Sequence, residues 1–551
     1  PYPIAPQEWR FSRSIDYSMS FNRAVIDYAA RNREHLLFNI YRMGQRAIER
    51  GSGDYWTPSP SRINAVGATG GRGEAGTDTS EATWASLRKP ELRDPRAFII
   101  PSDQPDFPTA TQFINALREV NVAVQRATRP FTVNGKTYPT DSYVVFTAQA
   151  FRPHVMDMFE PQDHPNVIPY PGAPPTPPYD NAGWTLAFQM GVKFDRILEP
   201  FSGPFKTVTE WNAAVRPGTV HPAAKATGYT LSRRSNNAFR AVNRLLAMGE
   251  SVRRVDDTFL VGAGRPTRTR LEHIAAELGV DVQATNVTTI AGAEPVRARR
   301  VGLWDQYGGS MPAGWTRWIL EQFEFPFSRV FAQELDAGNL NARYDVLIFV
   351  DGAIPAVAAG GRGGRGGGPE LTAADVPAEY RTHLGRMTAD RTIPNLRAFV
   401  EAGGTIVTIG SSAENLAAHF TLPIEDHLVE DGKPLPRSKY FVPGSVLTAT
   451  VDIRHPVAAG MEPRTDFFFD NSPVFRIRPG AEDSVRAIAT FDTDAPLHSG
   501  WAWGQRYLKG GVIAAEARVG KGRVLLFGPE ILQRAQPHGT FKLLFNAIFQ
   551  G

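Results

Sequence analysis

The carboxyl-terminal half of the chain alternates apolar runs with segments of helical spacing, and this pattern restricts the fold more than any other feature. From Arg299 onward these segments are RVGLW, GWTRWILEQF, DVLIFV, NLRAFVEAGG, TIVTIG and GRVLLFG. Short apolar strands that alternate with helices are typical of a parallel, doubly wound sheet, whose loops gather at the carboxyl ends of the strands. We therefore predict an α/β protein with a domain of this kind over residues 297–551.

Residues 435–515 interrupt this alternation. They contain KYFVPGSVLTATVDI, DFFFDNSPVFRI, VRAIATF and GGVIAAEA, which are rich in residues that favour strands and are separated by Pro and Gly turns. We expect them to form an antiparallel β layer, inserted before the last strand and helix of the domain.

Two earlier stretches match each other at a constant offset of 128 residues. Each reads as a strand, a helix, a second strand and a hairpin or turn, which indicates an internal α/β repeat. We place the first repeat, with a proline-rich segment, at residues 91–215 and the second at residues 216–296. The matching pairs are Asn115 and Asn243, Leu117 and Leu245, Val124 and Val252, Arg126 and Arg254, Phe131 and Phe259, and Val133 and Val261.

The amino-terminal region predicts one long amphipathic helix over residues 15–49, with a break near Gly44. We assign residues 1–50 to this helix and residues 51–90, rich in Gly, Ser, Pro and Thr, to a linker. Because the chain begins with Pro1 instead of Met, we expect a processed or truncated product. The apolar residues at mostly helical spacing are Met19, Phe21, Val25, Tyr28, Leu36, Leu37, Ile40 and Tyr41.

Composition excludes several classes of function. The chain has 551 residues, 42% of them hydrophobic, which is enough for several cores. Its 60 Lys and Arg and 56 Asp and Glu are scattered, and the tract GGRGGRGGG at 360–368 is interpreted as a flexible insertion, so we predict no nucleic-acid partner. No apolar run reaches the roughly 18 residues of a membrane span. The absence of cysteine excludes disulfides and is compatible with a secreted or periplasmic protein.

The loops that follow the predicted strands of the last domain carry the candidate ligand-binding residues. Parallel strands bring such loops to one edge of the sheet, so we expect their side chains to line a common ligand pocket. The candidates are Asp305, Tyr307, Asp351, Ser411, Ser412, Glu530 and His538.

The segment GGTIVTIGSSAENL, residues 403–416, has the outline of a nucleophile turn between a strand and a helix. Together with the late segment GPE, it resembles class I glutamine amidotransferases, in which a Gly-x-Cys-x-Gly turn carries the nucleophile and a His-Pro-Glu motif supplies its base. Here Ser412 stands near the expected thiol and Gly528 stands in place of the histidine. The resemblance implies an amidotransferase-like (flavodoxin-like) fold without catalytic residues. A serine hydrolase using Ser411 or Ser412, with His538 as base, is the weaker alternative.

Possible metal ligands are few. His427 and Glu430 in HLVE have the His-x-x-Glu spacing of zinc carboxypeptidases, but no third ligand is evident. His154, Asp157 and His164 belong to the densest cluster of imidazole and carboxylate groups, and are the weak candidates for a divalent ion. We predict no metal site in this chain. An aromatic surface that stacks on sugar rings is a further possibility for Trp304, Trp315, Trp318, Trp501 and Trp503.

Five long phrases carry a second resemblance. They are EWRFSRSIDYSMSFNRAVIDYAARNREHLLFNIYRMG, PDFPTATQFINAL, AFRPHVMDMFEPQDHP, PYPGAPPTPPYDNAGWTLAFQMGVKFDRI and LWDQYGGSMPAGWTRWILEQFEFPF. With these segments, essentially the whole chain resembles the carboxyl-terminal part of large secreted bacterial zinc carboxypeptidase-like proteins. The resemblance implies that the first helix is the last helix of a carboxypeptidase A-like catalytic domain, whose zinc and catalytic residues lie outside this chain.

From this resemblance we expect a non-catalytic accessory region of a secreted zinc carboxypeptidase-like protein, whose parent hydrolyses C-terminal peptide bonds. Residues 15–49 should then present an apolar face on which the catalytic domain or a second chain packs. The chain itself should need no cofactor. The alternative is an extracellular structural or peptide- or glycan-binding protein that self-associates as a homo-oligomer.

Overall fold

The protein is described from a computed structural model over residues 5–59, 62–63, 81–223, 226–287, 291–357 and 371–551. The tract at 360–368 and residues 60–61 and 64–80 of the proposed linker lie outside these ranges, so their assignments stay predictions. No helix in the described ranges combines the length and the apolar composition that a membrane span requires.

The described elements alternate between helices and strands for most of the chain. The α-helices are α1 (Phe11–Arg31), α2 (Arg33–Ser52), α3 (Glu81–Leu87), α4 (Phe107–Glu119), α5 (Arg152–Phe159), α6 (Leu186–Gln189), α7 (Asn236–Ala247), α8 (Arg265–Leu278), α9 (Met311–Gln322), α10 (Ala332–Asp336), α11 (Thr392–Glu401), α12 (Ser411–His419) and α13 (Phe541–Gln550). The strands are β1 (Ala97–Ile100), β2 (Gln125–Ala127), β3 (Phe131–Val133), β4 (Lys136–Tyr138), β5 (Tyr143–Phe146), β6 (Asp195–Ile197), β7 (Phe205–Thr207), β8 (Val220–His221), β9 (Gly228–Ser232), β10 (Val252–Val255), β11 (Thr258–Gly262), β12 (Val282–Thr285), β13 (Glu294–Val296), β14 (Val301–Trp304), β15 (Phe327–Val330), β16 (Val346–Phe349), β17 (Thr405–Ile409), β18 (Ile424–Asp426), β19 (Val429–Glu430), β20 (Lys433–Pro434), β21 (Ser445–Val451), β22 (Arg464–Phe469), β23 (Phe475–Ile477), β24 (Val485–Thr490), β25 (Leu497–Ser499), β26 (Val512–Val519) and β27 (Gly522–Phe527).

The first two sheets share one strand order. The first has the order β6-β1-β5-β2-β7, and the second has the order β12-β9-β11-β10-β13, with β8 added beside β12. The helices follow equivalent strands: α4 follows β1 as α7 follows β9, and α5 follows β5 as α8 follows β11. The predicted internal α/β repeat is therefore confirmed by topology.

The constant sequence offset fails at one place in this repeat. Phe131 and Val133 lie in β3, which pairs with β4 in a separate two-stranded hairpin, whereas Phe259 and Val261 lie in β11, the central strand of the second sheet. In the first sheet β5 takes this central place between β1 and β2. The hairpin is thus an insertion, and matching these two residue pairs by offset was wrong.

The twelve-stranded third sheet has a parallel half made of β14, β15, β16, β17 and β27. Their order is β15-β14-β16-β17-β27, and every neighbouring pair is parallel. Numbered along the chain, this is the order 2-1-3-4-5 of flavodoxin-like doubly wound sheets. The predicted doubly wound fold is confirmed, and its strand order reverses between β14 and β16.

The β-rich segment continues the same sheet. β26 pairs antiparallel with β27, and the sheet extends through β24 and β21 to β22. The antiparallel strands expected over residues 435–515 are therefore present, and they extend the parallel sheet. Pairing with β26 satisfies the backbone groups that would otherwise make β27 an open sheet edge.

The final helix joins the second repeat to the doubly wound sheet. Every residue of α13 is buried. The rings of Phe545 and Phe549 lie 5.3 and 6.0 Å from Phe239 of α7, and 5.1 and 5.4 Å from Phe325, which follows α9. One hydrophobic core therefore spans the second and third sheets, while the first sheet has cores of its own.

The amino-terminal region forms two helices, and the expected break near Gly44 was wrong. α1 and α2 meet at Asn32, whose backbone leaves the helical region (φ −105°, ψ 13°). The Asn32 side chain donates to the carbonyl of Tyr28 at 2.9 Å, a local bond that competes with the regular helix. Gly44 lies inside α2, where an added Cβ would be 3.4 Å from the Cβ of Ala150. Glycine there allows α2 to approach the first repeat.

Candidate functional site

The turn between β17 and α12 has the shape of a nucleophile turn, and its bend lies at Gly410. This residue has φ 62° and ψ −139°, in a region of the backbone map that is close to exclusive for glycine. A Cβ at this position would lie 2.4 Å from Oδ1 of Asp351. The position between strand and helix that carries a nucleophile in such turns therefore has no side chain here. Placing Ser412 near that position was wrong by two residues.

The two serines after the bend hold the loop that follows β16. Ser411 donates to Oδ1 of Asp351 from its backbone nitrogen at 2.7 Å and from its hydroxyl at 2.6 Å. Its hydroxyl oxygen also accepts from the nitrogen of Gly352 at 3.0 Å. These bonds bring Asp351 and Ser411 together, as predicted, but they use both groups for structure.

Ser412 is fully buried and has the same kind of role. Its hydroxyl donates to the carbonyl of Val350 at 2.6 Å and accepts from the nitrogens of Ala353 and Ile354, each at 3.0 Å. A hydroxyl with three backbone partners and no solvent access is not placed to attack a substrate. Ser412 is therefore not available as the nucleophile of the serine-hydrolase alternative.

Glu530 follows β27 at the same edge and carries the strongest electrostatic perturbation there. Burial first, and then the neighbouring carboxylates of Asp351 and Asp470, raise the pKa of Glu530 to about 8. Both causes penalise the ionised form. Glu530 is thus protonated in the folded protein at neutral pH, and its carboxyl group is a proton donor rather than an anion.

Replacing this residue tests the assignment through stability. Unfolded Glu530 ionises near pH 4.5 and the folded one near pH 8, so the folded state holds an extra proton between these values and loses stability as the pH rises. Glu530→Gln, a neutral mimic, should remove this loss. The free energy of unfolding of the variant minus that of the original chain should therefore increase by on the order of 3 kcal/mol from pH 5 to pH 8.

The measurement is urea unfolding at both pH values. Glu379→Gln, at an exposed carboxylate, is the matched control and should leave the pH dependence unchanged. An equal pH dependence for Glu530→Gln and the original chain would contradict the raised pKa.

Asp305 and Tyr307 lie in a separate depression, at the carboxyl ends of β14 and β15. We call it the Tyr307 depression. Its volume is about 310 Å³. Its lining residues are Asp305, Gln306, Tyr307, Gly308 and Gly309 after β14, Arg329 of β15, and Tyr380 and His383 of the 3-10 helix Ala378–His383.

Sequence reasoning found Asp305 and Tyr307 but missed Arg329, Tyr380 and His383. The last two lie on a short helix far along the chain, and no local periodicity connects them to β14. The available signal was the pair Gly308 and Gly309 in the loop after β14, where both residues have positive φ (83° and 80°) and an added Cβ would meet nothing within 4 Å.

His538 lies apart from both groups. Its ring stacks on Phe541 with centroids 4.5 Å apart, and its carbonyl accepts from the side-chain amide of Asn236 at 2.9 Å. Burial lowers the pKa of His538 to about 4. Within the described ranges no hydrogen bond joins it to Ser411 or Ser412. The residues that were predicted to line a single pocket therefore lie in three separate environments.

The weak metal candidates show no ligand set in the described part of the chain, where no group of three potential ligands comes together. His154 and Asp157 face each other on α5, and burial raises the pKa of Asp157 while His154 opposes this. His164 instead contacts the carbonyl of Pro165 through Nδ1 at 2.9 Å. In the HLVE segment, Glu430 pairs with Lys439.

The tryptophans do not form one binding surface. Trp304 and Trp501 are buried, and the Trp501 indole donates to Oδ1 of Asn166 at 2.7 Å. The Trp503 indole donates to the carbonyl of Ser438 at 2.7 Å. Trp318 is half exposed and lies on α9. A sugar-stacking surface built from all five is therefore excluded.

Comparisons with known proteins give weak likenesses in structure alone. No protein-family model matches the chain, and no curated protein matches it. A cytoplasmic protein from Salmonella typhimurium matches with 13% identity over 45% of this chain and 97% of that chain, with a TM-score of 0.26. A candidate GMP synthase protein from Thermoplasma acidophilum has 9% identity, 45% and 93% coverage and a TM-score of 0.27. A candidate ThuA-like protein from Bacteroides uniformis has 10% identity, 48% and 94% coverage and a TM-score of 0.24.

These TM-scores are too low to support a statement about function. The flavodoxin-like strand order and the glycine turn after β17 are read from the chain itself, and they agree with an amidotransferase-like domain. The comparisons leave the carboxypeptidase-like resemblance untested. We conclude that the chain is a multi-domain α/β protein whose last domain is doubly wound and has a glycine at the bend of its strand-to-helix turn.

Proposed function

We propose that this chain is the non-catalytic accessory region of a secreted or periplasmic zinc carboxypeptidase-like protein. On this proposal, α1 and α2 pack against a catalytic domain that holds the zinc and hydrolyses C-terminal peptide bonds. The zinc belongs to that partner domain, because the described residues of this chain offer no set of three ligands. The observation that carries the proposal is the apolar surface of the two helices.

The two amino-terminal helices have an uncovered apolar surface. No residue of α1 is buried, and in α2 the buried residues are Ala47 and Gly51 near its end. Phe11 is 80% exposed and Met43 is 71% exposed. The large exposed apolar residues are Phe11, Ile15, Tyr17, Met19, Phe21, Val25, Ile26, Tyr28, Leu37, Phe38, Ile40, Tyr41, Met43 and Ile48.

Exposure of such a surface to water is energetically unfavourable. Burial of one large apolar side chain contributes about 1.5–3 kcal/mol, and contiguous exposed patches of this kind mark sites of protein association. The end of α2 is fixed to the first repeat, where a Cβ on Gly51 would lie 2.3 Å from the carbonyl of Thr147. The rest of the two helices is exposed and thus available to a partner.

The same surface favours the second candidate function, a protein that self-associates. Two copies of the chain would bury these helices against each other, and the parent would then be an extracellular structural or ligand-binding oligomer. The two candidates differ in what covers α1 and α2, so one set of variants distinguishes them.

The coding sequence upstream of Pro1 is the first test of the accessory role. We expect it to encode, in the same reading frame, a peptidase domain with a His-x-x-Glu zinc motif. A different domain at that place would exclude the proposal.

The second test measures binding of that catalytic domain, made as a separate protein. The double variant Ile26→Glu and Leu37→Glu places two charges on the exposed face and should weaken binding about 100-fold, since each charged contact costs at least 1.4 kcal/mol, or about tenfold. Met311→Glu and Val357→Glu, at exposed apolar residues elsewhere, are the control pair and should have no effect.

Calorimetric titration gives the affinities, and light scattering gives the mass of each variant alone. Dissociation of a homo-oligomer by the helix variant, with no binding of the catalytic domain, would establish self-association in place of the accessory role. Equal behaviour of the helix and control variants in both assays would exclude both candidates.

A further inference from the structure

The Tyr307 depression combines aromatic rings with polar groups that are only partly used. Its volume of about 310 Å³ is at the lower end of the range for small-molecule sites. It lies at the carboxyl ends of parallel strands, next to the point between β14 and β16 where the strand order reverses. Ligands of open α/β sheets bind in this region, so its position and its shape agree.

The aromatic wall is a continuous series of rings. Phe331, which is buried, stacks on His383 with centroids 3.9 Å apart, and Tyr380 meets His383 edge-on at 5.6 Å. Tyr307 meets Tyr380 at 6.2 Å with 65° between the ring planes. The two tyrosines thus form a corner, made of a ring face and a ring edge, on a buried base.

The polar side of the depression has unused hydrogen-bonding capacity. Arg329 and Asp305 are 3.7 Å apart, which is longer than a direct hydrogen bond. Oδ1 of Asp305 accepts from the nitrogen of Gln306 at 2.9 Å, and Oδ2 accepts no hydrogen bond from any described residue. Oδ2 of Asp305 and the guanidinium of Arg329 therefore share only this long ion pair and a contact of Arg329 with the Phe331 ring at 5.7 Å, so hydroxyl groups placed beside them can bond to both.

We infer that the Tyr307 depression binds a neutral, hydroxyl-rich ring, a pyranose sugar, with its apolar face on Tyr380 and Tyr307 and its hydroxyl groups on Asp305 and Arg329. A sugar ring offers an apolar face for an aromatic ring and adjacent hydroxyls that donate to a carboxylate and accept from a guanidinium. A phosphorylated ligand fits less well, because the carboxylate of Asp305 lies beside Arg329 and would repel the phosphate.

This inference is independent of the accessory role, because the depression contains no residue of α1 or α2. The probes are the methyl glycosides of glucose, galactose, mannose and N-acetylglucosamine, with AMP as the phosphorylated competitor class. Saturation-transfer NMR on the full chain detects binding, and titration gives Kd. We expect at least one glycoside to bind with a Kd of about 1 mM, which is about −4 kcal/mol.

Two variants and one control locate the site. Tyr380→Ala removes an exposed aromatic face, and Asp305→Asn keeps the size of the side chain while removing its charge; each should weaken glycoside binding at least tenfold. Tyr179→Ala, at a fully exposed tyrosine outside the depression, should leave it unchanged. The inference is overturned if no glycoside binds, if binding is the same in both variants as in the control, or if AMP alone binds in a Tyr380-dependent way.

Discussion

Replacing Gly410 by alanine is expected to lower the free energy of unfolding by about 3–5 kcal/mol, because the substitution combines backbone strain with a collision. The backbone at φ 62° and ψ −139° disfavours any residue with a Cβ. That Cβ would also lie 2.4 Å from Oδ1 and 2.8 Å from Cβ of Asp351. Moving Asp351 away breaks its two hydrogen bonds from Ser411, of 2.7 and 2.6 Å, which hold the loops after β16 and β17 together.

Urea unfolding of the variant beside Gly432→Ala checks this result. Gly432 also has a positive φ, of 74°, but a Cβ there meets nothing within 4 Å, so this control has the backbone strain without the collision, about 1 kcal/mol. A cost for Gly410→Ala no larger than for Gly432→Ala would show that Asp351 moves freely. It would also mean that the turn can accept a side chain at the nucleophile position.

The doubly wound half of the fold was predictable because its signal is local. The apolar runs of β14, β16 and β17 are fully buried strands, β27 is buried except at Arg523, and a helix follows most of them along the chain. The error at the turn had a physical cause as well. In the segment Gly410, Ser411, Ser412, the two hydroxyl groups are the obvious candidates for a nucleophile. The bend, however, requires a positive φ, which favours glycine. The residue at the bend therefore has no side chain that could act as a nucleophile.

Features that depend on distant pairing were less predictable. The strand β3 (FTV) carries Phe and Val at the same spacing as β11 (FLV), and only pairing with remote strands shows that β5 is the central strand. For the same reason, only part of the lining of the Tyr307 depression was predicted. Asp305 and Tyr307 follow a recognisable strand, whereas Tyr380 and His383 come from a separate short helix that the fold alone brings near.

The pattern of apolar residues in α1 and α2 predicted an apolar face that needs a partner. It did not predict how much of the two helices is exposed. The position of the break at Asn32, where the side chain bonds to the carbonyl of Tyr28, was not predicted either.

A buried polar cluster between the second repeat and the last helix gives the second large prediction. Arg233 is 2% exposed and donates to the carbonyl of Asp256 at 2.6 Å, to the carbonyl of Pro456 at 3.2 Å, and to the side-chain oxygen of Asn546. Asn546 in turn donates to the carbonyls of Val457 and Ala459, each at 2.9 Å. This cluster fixes α13 against the segment after β21.

Asn546→Leu should lower the free energy of unfolding by on the order of 5 kcal/mol. Leucine has a similar size, but it removes one acceptor from a buried guanidinium and leaves two buried carbonyls without their donor. Urea unfolding followed by circular dichroism measures the loss. Asn286→Leu, at an exposed asparagine with no side-chain hydrogen bond to a described residue, should change stability by less than about 0.5 kcal/mol.

The double variant Arg233→Met and Asn546→Leu separates the two contributions to this cost. When the charge is removed together with its acceptor, no uncompensated guanidinium remains, so part of the loss should be recovered although the carbonyls of Asp256 and Pro456 also lose a donor. Additive losses in the double variant would contradict this account, because they would mean that the two side chains stabilise the protein independently. Recovery would show that the charge of Arg233 is tolerated in the core because Asn546 of the last helix satisfies it.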